Sequence, residues 1–360
     1  MEPDKTDYSS DPERLPLSLA DYDYDLPSNR IAETPVRPRD RSRLLVVNRT
    51  RRTWTDSTFQ ALATHLKQGD LLVLNNTRVL KARLFGTLER TGRSVEILFA
   101  DPIDRHNWGA LLHPGRRVRE GDFIALGNKL VLEVGVRRAH GLRTLSMIDA
   151  SGPTILEILE KDGHLPLPPY MDRDDRSEDE TDYQTVYANR DGAIAAPTAG
   201  LHFSLSVFAS LEAAGIQTAE LTLHVGIGTF IPVRTDDPAQ HQLKAERFEI
   251  SEKSAEQLNE ARAEGRRIIA VGTTTTRTLE HVFAKHDRFR AGAGQTDLYI
   301  LPGHQFAAVD GLLTNFHLPR STLLLLVSAF ASRKLVLDAY QHAIDRGYRF
   351  YSYGDCTLLL

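Results

Sequence analysis

Short apolar runs recur between residues 69 and 149, at Leu71–Leu74, Arg83–Leu88, Val95–Ala100, Trp108–Leu112, Phe123–Leu126, Leu130–Val136 and Leu142–Ile148. Gly, Pro, Asn or Asp separates most of them. A spacing of about ten residues without helical periodicity predicts a small antiparallel barrel or sandwich. The flanking chain has a different rhythm. Thr154–Lys161 reads as a short helix stopped by Gly163. Ser204–Ala214 reads as a second, with Leu205, Phe208 and Leu211 on one stripe and Gly215 as its stop. A strand at Thr218–Val225 follows. Ser254–Glu264 is a third helix, with Ser254 and Gln257 as its capping box. Arg267–Val271 is then a buried strand, Gly272–Thr275 a turn and Thr276–Lys285 a fourth helix. Strands alternating with helices predict a sheet with helices on its faces. The expected architecture is α/β, a mixed-sheet main domain with an inserted, smaller, all-β barrel-like domain. Residues 15–68 and 150–360 form the main domain and carry the cofactor site, 69–149 form the insertion, and 1–14 are a disordered N-terminus.

Composition narrows the class. The chain has 360 residues, 41% hydrophobic and 26% charged, ordinary values for a globular protein. A single cysteine, Cys356, excludes an intrachain disulfide, thiolate zinc sites and dithiol chemistry. The thirteen histidines form no convincing metal set, so no metal is expected. The longest apolar run, Leu323–Val327 continuing to Ala331, is far short of the roughly 20 residues a spanning helix needs, and reads as a buried helix. A polar, acidic start lacks the features of a secretion signal. A cytoplasmic protein without membrane association is expected.

Charge is distributed unevenly. Arg37 to Arg143 carries 21 Lys/Arg and 10 Asp/Glu, an excess of 11, so with a net charge of −4 the remainder carries −15. Arginines cluster at Arg37, Arg39, Arg41 and Arg43, at Arg49, Arg51 and Arg52, and at Arg116, Arg117 and Arg119. Arginine presented from turns suits phosphate, and such a segment is a candidate nucleic-acid face.

Five stretches place Gly, Thr, His and charge where strands should end, the usual ligand position in open α/β sheets. The first is Ala195–Phe203, in which Thr198 and Gly200 allow close approach and His202 is a candidate proton carrier. The second, Leu223–Phe230, leaves a strand through Gly226, Gly228 and Thr229. The third, Val271–Glu280, presents Thr273 and Thr274 at a helix start, which favours an anion. Arg277 opposes the helix dipole there, so an anionic ligand or an ion pair with Glu280 is expected. The fourth, Asp310–Thr322, brings Asn315 and His317 to a strand-to-helix passage, and the fifth, Tyr351–Asp355, sets an acid among aromatics. A P-loop, an early G-x-G-x-x-G, H-E-x-x-H and G-x-S-x-G are all absent from the sequence.

These blocks, with Asp70–Leu84, Leu167–Tyr170, Tyr183–Ala188, Leu312–Pro319 and Tyr353–Asp355, together resemble the S-adenosylmethionine:tRNA ribosyltransferase-isomerase family of queuosine biosynthesis from about Leu15 onward. The chain departs from the family pattern at Asn76, Lys244 and His304. The resemblance implies that S-adenosylmethionine gives its ribosyl part to 7-aminomethyl-7-deazaguanine at the wobble position of tRNA. Epoxyqueuosine forms, and adenine and methionine leave. A sulfonium acidifies the adjacent 5′ carbon, so a general base starts the chemistry. His202, His317 and Asp355 are the candidates for that base. Thr198, Gly200, Gly226, Gly228, Thr229, Thr273, Thr274, Arg277 and Asn315 are the candidates for holding the co-substrate. Arg37, Arg39, Arg41, Arg43, Arg78, Arg83, Arg116 and Arg117 are the candidates for tRNA. No metal is implied, and a monomer is expected. The alternatives are an S-adenosylmethionine-dependent RNA methyltransferase and a non-catalytic RNA-binding barrel on an α/β carrier.

Overall fold

A computed structural model describes residues 17–360 except 128–129, 150, 172 and 231–234, and leaves aside the side chains of Thr229 and Phe230. The expectation for residues 1–14 lies outside the described residues. Seven α-helices are described: α1 (Ile155–Asp162), α2 (Asp179–Asp182), α3 (Leu205–Ala213), α4 (Glu252–Ala263), α5 (Thr273–His286), α6 (Thr322–Ala331) and α7 (Arg333–Asp345).

Nine strands make one mixed sheet. Their spatial order is Gly292–Thr296, Glu246–Ile250, Gln217–Leu223, Leu71–Asn75, Ile268–Val271, Gly311–Asn315, Cys356–Leu359, Arg43–Asn48 and Thr53–Thr58. The four strands from Gln217–Leu223 to Gly311–Asn315 run parallel, and both outer pairs of neighbours include antiparallel ladders. Their central residues are apolar on both faces, as a covered parallel sheet requires. Leu71 and Val73 pack with Leu279, Leu325 and Tyr340 on one face, while Leu72 and Leu74 pack with Phe59, Val207 and Leu211 on the other. The Cys356–Leu359 strand is inserted between Gly311–Asn315 and Arg43–Asn48, pairing with both.

A closed six-stranded barrel is formed by Arg143–Met147, Asn107–His113, Arg93–Pro102, Arg83–Leu88, Phe123–Ala125 and Val131–Arg137. Its interior is a separate core around Ile97, Phe99, Trp108, Leu132 and Leu145. The barrel strands begin at Arg83. Leu71–Asn75, grouped by its spacing with the barrel, is instead a central strand of the large sheet, between Gln217–Leu223 and Ile268–Val271. A run of five buried apolar residues suits a strand covered on both sides better than a barrel strand with one wet face.

Two helix starts also differ from expectation. α4 begins at Glu252 because Ser251, not Ser254, is the cap, accepting from the Ser254 N–H at 3.1 Å. α5 begins at Thr273, with no intervening turn. Gly272 adopts φ +94°, which lets the strand pass directly into the helix. The hydroxyls of Thr275 and Thr276 then bond back to the carbonyls of Val271 and Gly272 at 2.8 and 3.1 Å.

Candidate active site

The parallel strands end on one side of the sheet, and a cleft of about 670 Å³ opens there. All five stretches reach it, the second through Val225 and the fifth through Tyr351 and Ser352. Ala195–Ala199 supplies one wall, Gly272, Thr273 and Thr274 another, and Thr314–His317 a third. Tyr183, Pro168, Leu323, Tyr351 and Ser352 complete it. The helix dipole of α5 points its positive end into this space. The hydroxyl of Thr278, like those of Thr275 and Thr276, folds back on its own helix, whereas Thr273 and Thr274 face the cleft.

His317 is the one base candidate on the cleft wall. Its Nε2 lies 3.0 Å from the Thr314 hydroxyl. Its backbone N–H donates to the Tyr340 hydroxyl at 3.2 Å, and its carbonyl accepts from the Tyr24 hydroxyl. Burial pushes its pKa down to about 3, so the ring is neutral at pH 7.

His202 is placed behind that wall. Its Nδ1 is 2.7 Å from the Ser42 hydroxyl, and its ring lies against Phe59 with centroids 5.2 Å apart. Burial, and then the neighbouring Arg39 charge, pushes its pKa down to about 3. Asn315 donates to the carbonyl of Tyr351 at 2.9 Å. His202 does not line the cleft. Asp355 is also set apart from it. Its carboxylate accepts from the N–H groups of Arg43 and Arg349, each at 2.8 Å, and burial raises its pKa.

Thr198, Thr273, Thr274 and Asn315 line the cleft, and Gly200 does not. Gly200 is required for packing, because a Cβ there would lie 2.1 Å from the Tyr187 hydroxyl. The Thr229 side chain is outside the described residues. Gly226 donates its N–H to Glu246 at 2.9 Å, and Gly228 lines a second, smaller cavity that shares Leu323 with the cleft. Arg277 also lines that second cavity. Its partner is Glu246, not the expected Glu280. Glu280 is taken up by the N–H groups of Ala307, Ala308 and Val309 at 3.0, 3.0 and 3.1 Å.

Sequence reading missed Glu246, Tyr299 and Leu323 as lining residues. Only Glu246 carries a signal. It sits on the buried side of the alternating strand Glu246–Ile250, shared with Phe248 and Ile250, where a carboxylate needs a partner.

The arginines fall into two sets. Arg37 pairs with Asp182 at 2.5 Å, Arg43 with Asp56 at 3.5 Å, Arg78 with Asp191 at 3.5 Å and Arg83 with Glu96 at 2.8 Å. Arg39 donates to the Leu201 carbonyl and lies 5.2 Å from the Tyr353 ring; burial lowers its pKa to about 10. Arg41, Arg116 and Arg117 are exposed and form no ion pair among the described residues.

Residues 19–359 match the family model described as "Queuosine biosynthesis protein". The chain belongs to this family. Among curated relatives, the S-adenosylmethionine:tRNA ribosyltransferase-isomerase of Symbiobacterium thermophilum is 45% identical over 346 residues, which is 96% of this chain and 100% of the relative. The protein of the same name from Staphylococcus aureus is 42% identical over 344 residues, again 96% and 100%. The crystal structure of the S-adenosylmethionine tRNA ribosyltransferase of Thermotoga maritima shares 35% identity and a TM-score of 0.55, covering 94% of this chain and 100% of that one. These family members support the ribosyl-transfer reading and lend nothing to the methyltransferase alternative. Among the described residues no group of His, Cys, Asp and Glu is arranged to hold a metal, and no helix is long and apolar enough to cross a membrane.

Proposed function

We propose that this chain transfers and isomerises the ribosyl moiety of S-adenosylmethionine onto 7-aminomethyl-7-deazaguanine at the wobble position of tRNA, giving epoxyqueuosine. Adenine and methionine are released. The observation that carries this is the cleft itself: Thr198, Thr273, Thr274, Asn315 and His317, from three separate family blocks, line one space at the carboxyl ends of parallel strands.

In this proposal His317 is the base. It is the candidate that faces the cleft, and its neutral ring accepts the 5′ proton that the adjacent sulfonium acidifies. Thr314 fixes the ring plane through Nε2. Asn315, Thr198 and the α5 start with Thr273 and Thr274 supply donors and a positive dipole to the sugar and the departing adenine. His202 supports the wall from behind through Ser42 and Phe59, and Asp355 anchors the Arg349–Asp355 loop to the sheet.

The base reaches the cleft along a groove of about 1260 Å³ between the barrel, at Arg83, Glu96 and Leu98, and the segment Pro166–Pro169. Pro168 lines both groove and cleft. An anticodon nucleotide turned out of its stack would lie along this path. Arg41, Arg116 and Arg117 take tRNA phosphates, their charges being free of protein partners. Action on tRNA as a monomer in the cytoplasm belongs to the same proposal. No metal enters the proposed chemistry.

The test combines purified protein, S-adenosylmethionine and tRNA bearing the aminomethyl base. Epoxyqueuosine in the nucleoside digest, with one free adenine and one methionine per product, is expected. An unchanged base overturns the proposal, and S-adenosylhomocysteine as product replaces it with methyl transfer.

A further inference from the structure

The second cavity has a different character from the cleft it adjoins. Leu243, Ile300, Leu323 and Leu326 make most of its wall apolar. Against that wall stand two buried polar atoms without hydrogen-bond partners, Nη1 of Arg277 and the hydroxyl of Tyr299. Arg277 is only 6% exposed. One side of its guanidinium is committed to Glu246, which is itself held by the Gly226 N–H. Its other side is left to face the cavity. Lys244 adds a second cation, and Thr322 brings the N-terminal end of the ten-residue helix α6 to the same wall.

A buried donor left unpaired is destabilising, the more so for a charged group, so such an arrangement persists where a ligand repays it. Two cations and a phenolic donor against one carboxylate leave room for one further anionic group. An apolar wall beside a carboxylate clamp is the pattern expected for an α-amino acid with a long unbranched side chain.

We propose that this cavity houses the methionyl tail of S-adenosylmethionine. Its carboxylate sits between Arg277, Lys244 and Tyr299, and its methylenes lie against Leu243, Leu323 and Leu326. The shared Leu323 marks the passage from the tail to the ribosyl part in the cleft. The clamp therefore lies in the second cavity, at Arg277. Its role is to choose the co-substrate by its amino-acid end, and to keep hold of methionine while adenine departs. This rests on the ribosyl-transfer reading above.

The experiment measures calorimetric affinities of the full chain for three probes: S-adenosylmethionine, its decarboxylated analogue, and 5′-deoxy-5′-methylthioadenosine, which lacks the whole amino-acid end. Wild type should prefer S-adenosylmethionine over the decarboxylated analogue by roughly tenfold to a hundredfold, the range for a hydrogen bond to a charged group. Tyr299→Phe and Lys244→Met should each narrow that gap several-fold while leaving affinity for 5′-deoxy-5′-methylthioadenosine unchanged. Arg277→Lys keeps a cation beside Glu246, so it should fold, and it should narrow the gap most. Equal binding of S-adenosylmethionine and its decarboxylated analogue by wild type overturns the clamp while leaving ribosyl transfer standing. Variants that weaken all three probes alike also overturn it. Failure of wild type to bind S-adenosylmethionine at all removes both proposals.

Discussion

Two buried histidines meet the chain on either side of Asn315, and their surroundings divide their work. His317 opens on the cleft, while His202 is closed in by Ser42 and Phe59. His317→Ala should lower turnover by roughly 10²–10⁴, the usual worth of a general base, with tRNA affinity retained in a filter-binding assay. His202→Ala should lower turnover less and lower the melting temperature, because its loss leaves the Ser42 hydroxyl without its partner and opens a hole beside Phe59. The two histidines also make stability depend on pH. Each is held near pKa 3 in the folded state, below the ordinary value of 6.5. The unfolded chain therefore binds more protons, and stability is lost as pH falls from about 6.5 toward 3, at roughly 1.4 kcal/mol per pH unit for each ring. Urea unfolding across this range should show that slope, and His202→Asn should remove about one proton of it. The candidates themselves were legible in the sequence, since Gly, Thr and His are grouped at strand ends. Which one faces solvent was not, because that depends on Ser42 and Phe59, about 150 residues away along the chain, as in the Ser42–His202 bond with its separation of 160.

Helix and strand types follow from periodicity, and their ends follow from single side chains. α3 and α6 start where Ser204 and Ser321 cap them, each accepting from an N–H three residues on. α5 starts early because its threonines bond inward, a choice that hydroxyl-rich sequence leaves open to either turn or helix. Of the two expectations for Arg277, an anionic ligand or a pair with Glu280 one turn along α5, the second fails because Glu280 is claimed by the Ala307–Val309 segment. Local spacing does not reveal a tertiary competitor. Glu280→Ala should thus act on folding more than on binding. It leaves three backbone donors unpaired, two of them buried bonds, and should cost about 3 kcal/mol or more. Differential scanning calorimetry should show the fall, with S-adenosylmethionine affinity kept in the folded fraction.

Across the whole molecule the barrel and the sheet carry different tasks, and the basic excess between Arg37 and Arg143 foreshadows the division. Charge counting alone overstates the nucleic-acid face, because Arg37, Arg43, Arg78 and Arg83 are engaged within the protein. Surface pairs of this kind contribute little individually, yet they occupy the guanidinium. Arg116→Ala with Arg117→Ala should weaken tRNA binding and reduce the slope of log K against log salt by about 1.5–2, the release expected for two lost phosphate contacts. Unchanged slope would remove these two from the interface. The barrel was legible from its regular short strands, and only its first boundary misled, where the two-sided burial of Leu71–Asn75 is a property of the assembled sheet.

The Cys356–Leu359 strand has a consequence for how the molecule is made. Arg43 is tied to Asp355 across 312 residues of sequence, and Leu360 donates to Val47. A ribosome lays down Arg43–Asn48 and Thr53–Thr58 long before their neighbour exists. For most of synthesis this pair is an orphan hairpin, too small to persist in water and with one edge bare. The cofactor cleft, whose wall includes Tyr351 and Ser352, is likewise incomplete until translation has passed them. A stalled or shortened nascent chain would therefore be both inactive and adhesive, a natural client for chaperones and proteases.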